Sequence, residues 1–208
     1  MHIPPIAPFE PHPERSSRAH IRSALRNRRR SLTAAEQRSA AKRLSVLLMT
    51  SPSLYRARHI GIYLPNDGEI DPGPFIAAAR DRGVQFYLPI LHPYQHGRML
   101  FGHYSPHSRL VNNRFGIPEP SLAHERIRPA WSLDAVLLPL VGFDLEGGRL
   151  GMGGGFYDRT FAFVRRTPRL APKLIGLAHE IQRVVRLPIE PWDIPLQGIV
   201  TDHRRYRV

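Results

Sequence analysis

The sequence predicts an α/β fold: a layered open sheet flanked by helices, in a single domain with helices at its N-terminus. Three observations carry this. Beyond residue 58, short apolar runs rich in β-branched and aromatic residues alternate with helical patterns, the order expected of strands joined by crossover helices. A chain of 208 residues is one domain by length and buries roughly 70% of its unfolded surface without staples. Hydrophobic residues make up 42% and charged residues 23%, ordinary proportions for a globular core with a solvated surface.

In chain order, residues 1–15 carry Pro4, Pro5, Pro8, Pro11 and Pro13 and read as an extended or disordered arm, leaving 16–208 as the domain. From Ser16 to Arg30 the pattern is helical, with Ile21 and Leu25 four apart on one face. Thr33 and Glu36 have capping-box spacing and open a second helix to about Met49, with Leu44, Leu47 and Leu48 as its buried stripe. His59 to Pro65 reads as a buried strand ending in a turn. Pro74 suits the start of a helix over 72–82, and Gly83 suits its C-terminal cap. Val84 to Leu88 is a second strand, closed by Pro89, and Met99 to Tyr104 a third. Residues 105–132, with Pro106, Pro118, Pro120 and Pro129, read as irregular. Ala135 to Val141 is the clearest strand, an apolar run broken only by Pro139. A glycine-rich loop over 142–155 leads into a helix from about Phe156. Lys173 to Ala178 and Gly198 to Val200 complete the strands, and no internal repeat is visible.

Composition excludes several function classes. Cysteine is absent, which removes disulfides, thiolate nucleophiles and Cys-based metal sites. No apolar run approaches 18 residues, so no membrane-spanning helix is expected. Residues 1–13 lack the apolar core of a signal peptide, and the cytosol is the expected compartment. The net charge of +13 is concentrated: residues 14–58 hold twelve Lys/Arg against Glu14 and Glu36. Only Lys42 and Lys173 are lysines, a bias that codon composition explains as readily as function. A basic helix can bind phosphate chains, so an RNA-binding protein using residues 15–58 is one reading. No RNA-binding module is recognisable, and a nucleic-acid partner is not expected.

The strongest chemical signal is the stretch from Gly142 to Arg159, with seven glycines between a buried strand and a helix. Glycine lets backbone N–H groups approach a ligand closely, and successive amides can form an anion-binding nest. A helix N-terminus adds free N–H groups, and open α/β sheets bind ligands at the carboxyl ends of their strands. The stretch is not a Walker P-loop, because Gly-x4-Gly-Lys-Ser/Thr is absent. It is not a dinucleotide fingerprint either. Phe156 stands where the third glycine belongs, and the acid expected about twenty residues on is missing.

These residues resemble the signature of the 5-formyltetrahydrofolate cyclo-ligase (5,10-methenyltetrahydrofolate synthetase) family: Gly142-Phe143-Asp144, Arg149-Leu150-Gly151, and Gly153-Gly154-Gly155-Phe156-Tyr157-Asp158-Arg159. Further matches run from Arg22 through Tyr63-Leu64-Pro65, Gly68-Glu69-Ile70-Asp71, Leu88-Pro89, Phe101 and Phe115-Gly116-Ile117-Pro118-Glu119-Pro120. They continue through Leu138-Pro139-Leu140-Val141 to Leu187-Pro188, Trp192-Asp193 and Val200-Thr201. The resemblance covers roughly residues 16–202 and implies an ATP- and Mg²⁺-dependent cyclisation of 5-formyltetrahydrofolate. The folate and ATP are the implied small-molecule partners of a monomeric enzyme, with no membrane involved. Such chemistry asks the protein for positioning and charge neutralisation, so the missing cysteine is no obstacle. A paralogue serving another cofactor pathway, such as thiamine, is the alternative within the fold.

The resemblance also implies the site. Arg18 and Arg22, four apart on one helical face, fall on phosphate-binding positions, with Arg18 in place of the usual lysine. Arg149, Leu150, Gly151, Met152, Gly153, Gly154, Gly155, Phe156 and Tyr157 fall on the ATP-binding stretch, with Met152 to Phe156 also bordering the folate. Met152 replaces an expected tyrosine or arginine. Leu64 and Glu69 fall on substrate-binding positions, where a carboxylate suits the pterin edge; Asp67 is the rival if the register slips. Asp158 and Asp193 would ligate Mg²⁺, and Arg149 and Asp158 are the catalytic candidates. Arg28, Arg29 and Arg30 match no ligand position and read as a solvated face. Asp144 reads as an organiser of the loop, and Tyr157, Trp192 and Phe101 as core or pocket wall. Zinc at His92/His96 or His103/His107 is not expected, because Pro93 and Pro106 break the helix that would present both rings.

Overall fold

The computed structural model describes residues 6–10 and 17–208. Two helices come first, α1 (Arg18–Arg30) and α2 (Ala34–Met49), then β1 (His59–Gly61), α3 (Gly73–Arg80), β2 (Gln85–Leu91) and β3 (Met99–Tyr104). Short strands follow: β4 (Leu110–Asn112), β5 (Pro118–Pro120) and β6 (Ile127–Arg128). Then come β7 (Ala135–Pro139), β8 (Gly142–Phe143), β9 (Arg149–Leu150), α4 (Phe156–Thr160), β10 (Lys173–Leu177), β11 (Gly198–Val200) and β12 (Arg205–Arg207).

Eight strands form one sheet in the order β12-β11-β10-β7-β1-β2-β3-β6. The five central strands are parallel, and antiparallel pairs close both edges. Both faces are covered, so central strands read as continuous apolar runs. Along β7 the side chains alternate: Ala135 and Leu137 join the layer under α2 and α3 with Leu44, Phe75 and Ile60. Val136 and Leu138 join the opposite layer with Phe101, Phe161 and Leu174. A third cluster packs Ile21 and Leu25 of α1 against Val141, Leu150, Val184 and Leu187, and so seats α1 over the glycine-rich segment. At α2 the predicted capping box is complete, with Thr33 and Glu36 each accepting from the other's backbone N–H.

Several expectations need correction. Pro89 does not close β2, which runs on to Leu91 paired with β3. Tyr87 O accepts from Ile62 N, so Pro89, two residues on, turns its missing N–H to the same side, where β1 has ended. Residues 105–132 hold the β4–β5 hairpin and the edge strand β6. The helix from Phe156 is five residues long and passes into a 3₁₀ turn at Ala162–Arg165, so any dipole at its start is small. Within the N-terminal arm, Phe9 N donates to Arg183 O at 2.7 Å; residues 1–5 and 11–16 lie outside the described residues. Arg29 is not on a solvated face: its side chain is fully buried.

Candidate active site

The carboxyl ends of β1, β2 and β7 open into one cleft of about 660 Å³. Its apolar floor comes from Leu88 and Pro89 of β2 and from Leu138 to Leu140 at the end of β7. Every residue expected at the site lines this cleft except Leu150. That side chain is buried beneath the loop against the α1 cluster, so its part is to hold the loop down.

One wall is the turn after β1, bearing Leu64, Asn66, Asp67 and Glu69. Asp67 has a φ of 54° and Gly68 one of 75°, left-handed values that bend the turn back on itself. The two acids of this turn behave oppositely. Burial by itself would raise the Asp67 carboxyl, but hydrogen bonds from Arg26, Arg29 and Arg30 outweigh it and hold the group well below the usual carboxylate range. Among the described residues Glu69 accepts only from Asn66 N, at 3.2 Å, and has Arg29 at 3.8 Å. Burial pushes its carboxyl up to about 7, with Arg29 pulling the other way. Glu69 therefore keeps acceptor capacity facing the cleft, whereas the oxygens of Asp67 are taken up by arginines.

The opposite wall is the glycine loop. β8 and β9 pair Phe143 with Arg149, and the turn between them is organised by buried Asp144. Asp144 accepts from Glu146 N and Gly148 N, and its second oxygen accepts from Leu187 N at 2.8 Å. Beyond Arg149 the loop reaches Gly153 (φ 94°) and Gly155 (φ 62°), conformations that disfavour any side chain. Arg22 Nε donates to Gly151 O at 2.8 Å, and Arg159 donates to Gly154 O and Gly97 O, fixing the loop from both sides.

At this end the charges collect. Arg18 pairs with Asp193 at 2.7 Å, and Arg149 pairs with Asp158, whose Oδ1 also accepts from Ile194 N at 3.1 Å. Burial, then the neighbouring charges of Arg18 and Arg26, draw the Arg22 guanidinium below its usual value. Burial likewise lowers Arg149, while Asp158 and Asp193 pull it back. The two acids are thus brought to one place from elements remote in sequence. Trp192, largely exposed, forms the rim beside Asp193.

A third wall had no role assigned from sequence. The tip of the β4–β5 hairpin brings Asn113, Phe115 and Ile117 to the cleft, and Phe115 meets Phe156 edge-on at 5.7 Å. The sequence signal was present in Phe115-Gly116-Ile117-Pro118, but neither period nor spacing said which way the hairpin would fold.

A model described as the 5-formyltetrahydrofolate cyclo-ligase family matches residues 14–202. The chain belongs to this family. It is 42% identical over 177 residues to the 5-formyltetrahydrofolate cyclo-ligase of Escherichia coli (strain K12), covering 85% of this chain and 96% of that one. The Haemophilus influenzae cyclo-ligase is 38% identical, covering 88% and 96%. Among solved structures, the Aquifex aeolicus 5,10-methenyltetrahydrofolate synthetase superposes with a TM-score of 0.76 at 28% identity, over 91% of this chain and 92% of that one. The cyclo-ligase fold described above is thus shared in three dimensions as well as in sequence. Among the described residues no helix is long and apolar enough to cross a membrane.

Proposed function

We propose that this cyclo-ligase uses ATP to close 5-formyltetrahydrofolate to 5,10-methenyltetrahydrofolate, releasing ADP and phosphate. The observation that carries the reading is a single cleft with two chemically different ends. Glu69 offers a buried carboxylate suited to the ring N–H and amino group of a pterin. Arg18, Arg22 and Arg149 surround a loop whose bare backbone suits phosphate oxygens. The reaction needs these two ligands in contact, and Met152 to Phe156 borders both ends.

The bond changes follow from the two substrates. The formyl oxygen forms a bond to the terminal phosphorus as the bond to ADP breaks. N10 then attacks the activated carbon, its proton is lost, and the carbon–oxygen bond to phosphate breaks as the ring closes. The chain's part is to hold the reacting atoms in line and to spread the migrating negative charge. Arg149, largely buried beside the loop, is placed to meet that charge, and Asp158 orients its guanidinium. Leu64 supplies apolar contact beside Glu69.

Asp158 and Asp193, paired here with Arg149 and Arg18, would suit a divalent ion of one kind once those guanidiniums turn to phosphate. They share the cationic end of the cleft, yet no cluster of three His, Cys, Asp or Glu occurs among the described residues. Mg²⁺ takes one or two carboxylates and completes its shell with water and phosphate oxygens, so these two acids suit an ion arriving with the nucleotide. When bound, it would supply charge neutralisation on the phosphates.

Within the basic segment, Arg18, Arg26, Arg29 and Arg43 are each paired with a carboxylate of the fold. Purified protein with Mg·ATP and 5-formyltetrahydrofolate should produce the methenyl compound, followed by its near-ultraviolet absorbance, with one ADP per product. Absence of both products would overturn the reading.

A further inference from the structure

Arg29 occupies the last turn of α1 with its side chain wholly shielded from water. A guanidinium in that position needs partners for its N–H groups, or burial is prohibitive. Its Nε donates to Asp67 O at 2.7 Å and Nη2 to Asp67 Oδ2 at 2.7 Å, while Nη1 reaches Leu140 O at 3.4 Å. Nη2 also lies 3.8 Å from Glu69 Oε1 and 3.9 Å from Met152 Sδ. One buried cation therefore touches two walls of the cleft, the turn after β1 and the glycine loop, and its floor at the end of β7. Asp67 keeps Arg26 and Arg30 as further partners and does not depend on Arg29. For Glu69, Arg29 is the one cationic side chain within 4.0 Å among the described residues.

We propose that Arg29 is a positioning residue for substrate: it holds the Glu69 carboxylate ionised and in place as acceptor for the paired N–H groups of the pterin edge. The inference rests on the function proposed above and adds the group that makes Glu69 usable. The groups facing Glu69 are Arg29 and Arg26 from α1, Asp67 on its own turn, Tyr63 beyond β1 and Tyr157 from α4. Both tyrosines are pushed above their usual range and Asp67 is held below its own, so Glu69 alone of the acids among them titrates near neutrality. An ionised carboxylate accepts two parallel N–H bonds, whereas a protonated one presents a donor to a donor. Removing a cation 3.8 Å away disfavours the ionised form further.

The test is the pH dependence of KM for folate and for ATP, from about pH 6 to about pH 9. It compares the wild type with Arg29→Met, Arg29→Lys, Glu69→Gln and the double variant. In the wild type, KM for folate should fall as pH rises through neutrality. Arg29→Met should raise it roughly fivefold at pH 7 and about tenfold at pH 6, equivalent to one unit of displacement, with the deficit closing at alkaline pH and KM for ATP unmoved. Arg29→Lys should restore most of the loss, and in the Glu69→Gln background Arg29→Met should add nothing. An Arg29→Met profile that superimposes on the wild type would overturn the inference. So would equal rises in both KM values at every pH, or the same loss in the Glu69→Gln background. If Arg29→Met does not fold, calorimetry of folate binding to the wild type in two buffers carries the test. Release of about half a proton near neutral pH is expected, and no release contradicts it. A wild type that forms no methenyl product would instead defeat the proposed function, so the two failures are distinguishable.

Discussion

Asp67 and Glu69 lie two residues apart in one turn, yet one is tied down by three arginines and the other faces the cleft with Arg29 alone within 4.0 Å among the described residues. That difference has a thermodynamic sign. Glu69 binds its proton more tightly in the fold, at about 7 against an ordinary 4.5. Its contribution to stability is therefore full below the ordinary value and is lost as pH rises through 7. Glu69→Gln should stabilise the protein at pH 8 by up to about 3 kcal/mol, read as a higher melting temperature than wild type, with little gain at pH 5. Equal shifts at both pH values would mean that burial of the charge is not the cause. Asp158→Asn should lower kcat about 100-fold and raise the Mg²⁺ concentration needed for half-maximal rate; unchanged kinetics would remove Asp158 from the site. Single residues were legible in the sequence where a motif fixed their setting, as with Glu69, Arg149 and the glycines. Arg29 was not, because an arginine in an arginine-rich helix looks solvated until its partners, Asp67 and Leu140, are brought to it by the fold.

At the scale of elements, periodicity carried what it could. Both N-terminal helices, α3 and the central strands were legible because each buries a regular apolar face. The edge strands were not. β12 is Arg-Tyr-Arg and β5 is Pro-Glu-Pro, so neither shows apolar alternation, and each exists because a neighbouring backbone is there to pair with it. The helix after the glycine loop starts at Phe156 as expected and is short, because Phe161 and Val164 enter the core through a 3₁₀ turn. Two element-level changes separate stability from function. Thr33→Ala removes a completed capping box whose residues do not line the cleft and should cost about 1 kcal/mol with kinetics unchanged. Gly155→Ala imposes a side chain at a φ of 62° and against Arg159, and should cost about 1–2 kcal/mol while weakening ATP binding. Chemical denaturation with parallel KM measurements distinguishes them, and a Thr33→Ala protein with altered KM for ATP would contradict the division.

Across the whole molecule, part of a net charge of +13 is directed inward, to the cleft. α1 lays Arg18 and Arg22 along the cleft, sends Arg26 and Arg29 to the turn after β1, and is held there by Ile21 and Leu25. The parallel sheet supplies strand ends, the hairpin and glycine loop supply walls, and the basic helix closes the cleft with charge. The central claim is that the two ends of this cleft divide the work, Glu69 taking the folate and the arginines taking the nucleotide. The most direct measurement is the pair of KM values for Glu69→Gln and Arg22→Met, each determined with the other substrate saturating. Glu69→Gln should raise KM for folate about tenfold or more with KM for ATP within twofold of wild type, and Arg22→Met should do the reverse. If both variants raise both constants in parallel, or exchange these effects, the division of the cleft is wrong.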